Sequence, residues 1–210
     1  MYSGPQKLDT KQPSTQELLT GKRRLSGFSG KWEEKKISDI CGKVTTGKLN
    51  ANAMVEGGEY RFYTCAEDYY QIDHYAFDTE ALLVSGNGAN VGYIHYYKGK
   101  FNVYQRTYVL SNFSADIQYI KLFMDRNLRE RIRVEVNEGN TPYITMGTLT
   151  EMKIIVPPTK EEQTAIATIV SDMDTEIEKL ESQLTKYQNL KQGMMQTLLT
   201  GKIRLLTKNL

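Results

Sequence analysis

At 210 residues and 40% hydrophobic content, the chain has material for one ordinary domain plus an appendage. No run approaches the ~18 apolar residues a membrane span needs, and the opening MYSGPQKLDTKQPST lacks a secretory signal's apolar core, so the expected setting is the cytoplasm. A net charge of +2 singles out no partner, and Cys41 and Cys65, far apart and outside any C-x-x-C, indicate neither a disulfide framework nor a zinc site.

Residues 1–25 read as a tail. Ser14 and Glu17 form an S-x-x-E capping box for a short helix, Pro5 and Pro13 bar a longer one, and Gly21 can take the left-handed position that ends it. GFSG (27–30) is a linker into residues 26–158, whose texture is α+β. The runs 60–65, 81–85, 91–97 and 106–111 are rich in aromatic and β-branched residues and bounded by Gly and Asn. They predict a twisted, mainly antiparallel sheet with hairpins through GNGAN (86–90) and KGK (98–100). The ten tyrosines between 60 and 108 are expected mostly in the core and on the sheet faces. In residues 116–134, Ile117, Ile120, Phe123, Met124, Leu128 and Ile132 recur at helical spacing. GNTPYITM (139–146) reads as a loop and MKIIV (152–156) as a last strand. No acid occurs in 81–115, whereas acids crowd into 67–80, a polarity that weakly favours an anionic ligand on one face.

Residues 159–201 change character. Thr159 and Glu162 make a second capping box after Pro157 and Pro158, and one helical pattern follows, with Gly193 as its weak spot and Gly201 as its stop. Ile166, Val170, Met173, Ile177, Leu180, Leu184, Tyr187, Met194 and Leu198 alternate in steps of four and three, with Lys191 as the polar seam member. That is a heptad seam. At ~1.5 Å per residue the helix is roughly 60 Å long, more than the preceding domain can cover. Each buried Leu or Ile contributes roughly 1.5–3 kcal/mol, so the seam predicts self-association, most simply as an antiparallel homodimer. Residues 202–210 form a C-terminal tail.

The tail sequence QELLTGKRRL (16–25) returns as QTLLTGKIRL (196–205), eight of ten positions matching at an offset of 180. The simplest source is an architecture alternating globular domain and long helix. LLTGKRRLSGFSGKWEEKKISDI (18–40), SGNGANVGYI (85–94), residues 139–170 and LKQGMMQTLLTGKIRL (190–205) together resemble the specificity subunits of bacterial type I restriction–modification systems. The resemblance implies that residues 26–158 are a target-recognition domain reading a few base pairs of double-stranded DNA and that the long helix is a spacer. It also implies a methyltransferase subunit binding S-adenosylmethionine and a restriction subunit using ATP as partners. Family members usually carry two recognition domains and two helices. A single set predicts a half-length subunit whose homodimer reads an inverted, gapped half-site, or else a fragment of a longer parent. In such a dimer the C-terminal decapeptide is expected to dock on the partner's domain, in the slot its N-terminal copy can fill at home.

Motifs for chemistry are not found. Val156-Pro157-Pro158-Thr159 lacks the polar and aromatic flanks of an adenine methyltransferase motif, and the glycines at 86, 88 and 92 miss G-x-G-x-x-G. Glu151-Met152-Lys153 lacks an upstream Pro-Asp, and His74 and His95 read as structural. The chain is expected to be non-catalytic, with no cofactor and no metal. A DNA reader needs amides and guanidinium groups for base edges and Lys, Thr or Tyr for phosphates. The candidates are Lys43, Thr45, Thr46, Lys48, Asn87, Asn90, Lys98, Lys100, Gln105, Arg106, Asn140, Thr141 and Tyr143, with Gln105 and Arg106 backed for base readout. Rival readings are a coiled-coil scaffold with a protein-binding or non-sequence-specific domain, and an enzyme with an unrecognised site in 81–115.

Overall fold

The short helix α1 (Gln12–Leu19) starts upstream of Ser14. Pro13 occupies its first turn, where a missing N–H costs nothing, so the expected cap at Ser14 lies inside the helix. Its other end follows expectation: Gly21 takes φ +71°, and Thr20 donates its N–H and Oγ1 to the Gln16 carbonyl at 3.0 and 2.7 Å. The structure is a computed structural model describing residues 12–135 and 142–201, and it divides after Ala167 into a globular unit and a helical one.

In the globular unit, β1 (Glu33–Lys36) leads through one turn of helix, α2 (Ile37–Ile40), into β2 (Cys41–Thr46). Then come β3 (Tyr60–Tyr63), β4 (Tyr70–Ile72), β5 (Phe77–Ser85), β6 (Ile94–Val103) and β7 (Thr107–Phe113). Strands two to seven form one sheet in the order β2-β7-β5-β6-β3-β4, antiparallel except where β3 runs parallel to β6. The GNGAN segment joins β5 to β6 as expected. KGK does not turn. Lys98 to Lys100 lie inside β6, where Gly99 takes φ +131° opposite Thr79 and lets a ten-residue strand bend without breaking. The chain reverses instead at 104–106, and β7 then pairs with β5.

β5 is the centre of the sheet, and Ala81 to Val84 are fully buried. Ala81 and Leu83 pack with Tyr63, Phe101, Val103 and Val109 on one face. Strand alternation turns Leu82 and Val84 to the other. There α3 (Ile117–Glu135) lies against β5 and β6, burying the expected Ile120, Phe123, Met124, Leu128 and Ile132 together with Tyr119. Of the ten tyrosines, Tyr63 alone is fully buried and Tyr97 packs against its cluster, while Tyr69, Tyr70, Tyr75 and Tyr96 are exposed. The sheet curls back on itself: Leu49 bridges Tyr104, and Gln105 donates its N–H to the Leu49 carbonyl at 2.8 Å. Gly47 makes this closure possible, because a Cβ there would come within 2.0 Å of the Val103 carbonyl oxygen.

The helix α4 (Met146–Thr150) is capped by Thr145, and β8 (Lys153–Val156) pairs antiparallel with β1 as a separate ribbon. The 40-residue α5 (Lys160–Leu199) begins where Thr159 Oγ1 accepts the Glu162 N–H at 3.3 Å. Glu162's carboxylate does not complete a simple capping box. It is 1% exposed and takes a bidentate pair from Arg24, both bonds at 2.9 Å, plus the Trp32 indole N–H at 3.3 Å.

In the helical unit, α5 runs on unbroken through Gly193, and Gly201 ends it at φ +69°.

Candidate nucleic-acid interface

Five chain segments meet at the end of the sheet marked by Ser85. Gly86 donates its N–H to the Arg106 carbonyl and accepts from Ile144 N–H, at 2.8 and 2.9 Å. A Cβ at Gly86 would come within 2.2 Å of that Arg106 oxygen, so only glycine lets the two loops touch. Gly88 N–H donates to the Pro142 carbonyl, and Asn87 bridges Tyr143. The Cys65 thiol donates to Asn87 Oδ1 at 3.1 Å, and Asn90 Nδ2 donates to the Cys65 carbonyl at 3.2 Å. Tyr108 hydroxyl holds the Ile144 carbonyl at 3.0 Å. Gln105 ties in the segment of Lys48 through Leu49.

This assembly gathers part of the predicted set. Lys48, Gln105, Arg106 and Tyr143 are exposed on backbone fixed by these bonds, and Thr46 sits beside them through its pairing with Tyr108. Arg106 lies close enough to oppose the rise in the Tyr108 phenol pKa that burial causes. Asn87 and Asn90 are half-buried, and their amides brace Cys65. Thr45 lies one position further along β2, and Lys43, paired with Ser111, lies about 10 Å down the strand from Thr46. Asn140 and Thr141 lie outside the described residues.

Lys98 and Lys100 are not part of the cluster. The register of β6 sets them opposite Glu80 and Asp78 at the far end of β5. Lys98 Nζ is 3.9 Å from Glu80, and Lys100 Nζ stands 4.7 Å over the Tyr75 ring. The run free of acids in sequence is therefore not an acid-free face, because strand pairing brings in the acids of residues 78–80.

Sequence reasoning missed three features. Cys65 is the link between loops 22 and 41 positions away. Arg61 stacks between Tyr69 and Tyr97, 4.3 and 4.7 Å from their centroids. Glu162 anchors α1. Each depends on contacts between distant segments, and the only local signal was the density of tyrosine around 60–75. His95 is half-buried between Tyr63 and Tyr93, with Nε2 3.0 Å from the Ala66 carbonyl, and burial pushes its pKa below the ordinary value. Among the described residues, no group of three acidic, His or Cys side chains could hold a metal, and no helix is long and apolar enough to cross a membrane. What the surface offers is an amide, a guanidinium, an ammonium and a phenol on a rigid frame, the donor set that base edges and phosphates accept.

The predicted seam also has a different extent. Ile166 is fully buried within the globular unit, so it is not available to a partner. Met173 and Ile177 are half-buried, whereas Leu180, Leu184, Tyr187, Met194 and Leu198 are exposed.

Comparison with known proteins gives this geometry a family. The chain is 35% identical over 170 residues to the type I restriction enzyme EcoDI specificity subunit of Escherichia coli, across 80% of this chain and 37% of that protein. The fold matches the type I restriction–modification S subunit of M. genitalium at a TM-score of 0.60 and 20% identity, covering 84% of this chain and 48% of that one. It matches the HsdS subunit of Thermoanaerobacter tengcongensis at 0.61 and 14%, covering 92% and 51%. The chain thus spans between about a third and a half of the length of these relatives. A family model for the type I restriction modification DNA specificity domain matches residues 29–186, three quarters of the chain, and on that match the chain belongs to this family.

Proposed function

We propose that residues 26–158 read one half-site of duplex DNA through the loops at the Ser85 end of the sheet, and that α5 pairs two such domains as a homodimer. On this reading the chain is a recognition subunit that performs no chemistry itself and presents DNA to methyltransferase and restriction subunits. The observation that carries it is the convergence of Lys48, Gln105, Arg106 and Tyr143, four exposed donors from three segments, on one braced surface of a DNA specificity domain. Gln105 suits adenine and Arg106 suits guanine, because each can offer a bidentate contact to a base edge in the major groove. A two-fold dimer meets the same half-site twice in inverted orientation, across an unread gap.

The test is selection from a random duplex pool at stated salt, with and without a methyltransferase subunit. Recovery of an inverted, gapped motif is the expected result. A salt-sensitive smear with no motif would refute sequence reading and favour a scaffold instead.

A further inference from the structure

One copy of the repeated decapeptide is seated in the fold, and the described leucines of the other are exposed. In the first, Leu18 and Leu19 are 6% and 2% exposed. The buried Tyr119 hydroxyl, which donates to the Ile155 carbonyl at 2.7 Å, lies 3.5 Å from the Leu19 carbonyl, and the Trp32 ring covers Gly21, 3.1 Å from where a Cβ would stand. Arg24 forms its bidentate pair with buried Glu162. In the second copy the helix stop has the same form. Thr200 donates its N–H and Oγ1 to the Gln196 carbonyl at 3.2 and 2.5 Å, as Thr20 does to Gln16, and Gly201 at φ +69° matches Gly21 at +71°. Yet Leu198 and Leu199 are 37% and 80% exposed. By sequence, Arg204 stands where Arg24 stands.

The two positions at which the copies differ settle what the slot reads. Glu17 is replaced by Thr197 and Arg23 by Ile203, and both Glu17 and Arg23 are exposed in the seated copy. Within the decapeptide, every position that the fold buries is unchanged. The chain thus carries a second ligand for a site it already fills, with its helix stop formed in advance, which lowers the ordering cost of binding.

We propose that the slot walled by Trp32, Tyr119 and Glu162 is a receptor for the LLTGK-x-R motif, and that the C-terminal copy of a second chain takes it in exchange for the N-terminal copy. This rests on the self-association reading, which brings two chains together. Because the exchanged contacts are alike, local concentration decides between them, as in segment swapping. Weakening the resident copy then strengthens association.

The test uses full-length Arg24→Glu, which sets a carboxylate against Glu162, with Arg24→Ala as a milder second variant if the first folds poorly. Sedimentation measures self-association, and Trp32, the chain's single tryptophan, reports occupancy of the slot by its fluorescence. The expected result is association tightened by about tenfold in the Arg24 variants, since one partner of a buried ion pair is gone from the resident copy. Adding Arg204→Glu abolishes the gain. A synthetic QTLLTGKIRL peptide shifts Trp32 emission in Arg24→Glu and reverses the tightening, and a scrambled peptide does neither. Unchanged or weakened association in both Arg24 variants overturns the exchange, even if the peptide binds. The peptide measurement needs no dimer, so absence of an emission shift overturns the receptor whether or not the helix seam holds two chains together.

Discussion

His95 shows how a single residue ties the loops near the candidate interface to pH. Its Nε2 reaches the Ala66 carbonyl, next to Cys65, so the neutral ring with hydrogen on Nε2 is the form that fits. Burial is the main cause of its lowered pKa; the Lys121 charge adds to it, and the Ala66 bond and Asp68 oppose it. A histidine held below its unfolded value near 6.5 contributes stability that is complete above that pH and is lost as pH falls through the folded value. Urea midpoints at pH 7.5 and pH 5 are therefore expected to fall further for the native chain than for His95→Gln, and equal falls would refute the role. The residues proposed to contact DNA divide in the same concrete way. Gln105→Ala or Arg106→Ala is expected to cost about 1–3 kcal/mol of discrimination between a selected duplex and a scrambled one. Lys98→Ala, whose ammonium faces Glu80 at the other end of β5, is expected to leave that ratio unchanged in the same competition assay.

At the scale of elements, closure of the sheet depends on one position. A methyl group at Gly47 cannot fit, because the carbonyls of Val103 and Tyr104 lie 2.0 and 2.6 Å from its place. Both belong to backbone that also carries Gln105. Gly47→Ala is expected to cost about 3 kcal/mol or more in denaturant unfolding and to weaken DNA selection with it; a change under about 1 kcal/mol would mean the closure is loose. The elements legible in the sequence were those whose burial pattern is local: β3, β5 and β7 from their aromatic and β-branched runs, α3 from its periodicity, and α5 from its heptads. β1 was not legible, because EEKK resembles solvated surface. It is a strand only because β8 pairs with it 120 positions later, where Lys153 reaches Glu34 at 2.8 Å. KGK misled for a related reason, since a glycine between lysines signals a turn unless a long partner strand such as β5 holds it extended. Of the candidate site, the sequence offered residue types, and the amide and guanidinium of Gln105 and Arg106 are exposed. Its membership was not legible, because strand register carried Lys98 and Lys100 away.

At the scale of the whole molecule, the question is what covers α5. Heptad spacing alone treats every seam position as equal, but Ile166 is already buried within the globular unit, so the apolar stripe left for a partner is shorter than the helix. Leu184 and Tyr187, at 57% and 63% exposure, lie within that stripe, so a charge placed at either costs the single chain almost nothing. A self-associated form has two copies of each to lose, at roughly 1.5–3 kcal/mol for each buried side chain. Full-length Leu184→Glu combined with Tyr187→Glu is accordingly expected to raise the dissociation constant by at least about a hundredfold in sedimentation, with the thermal unfolding of the globular unit unchanged. The same variant separates reading from pairing: it is expected to keep weak contact with one half-site and to lose preference for the inverted, gapped arrangement, because two reading surfaces select a spacing only while something holds them apart. A native chain that sediments as a monomer, or a charged seam that associates as before, would leave α5 without this role and place the origin of any gapped selectivity elsewhere.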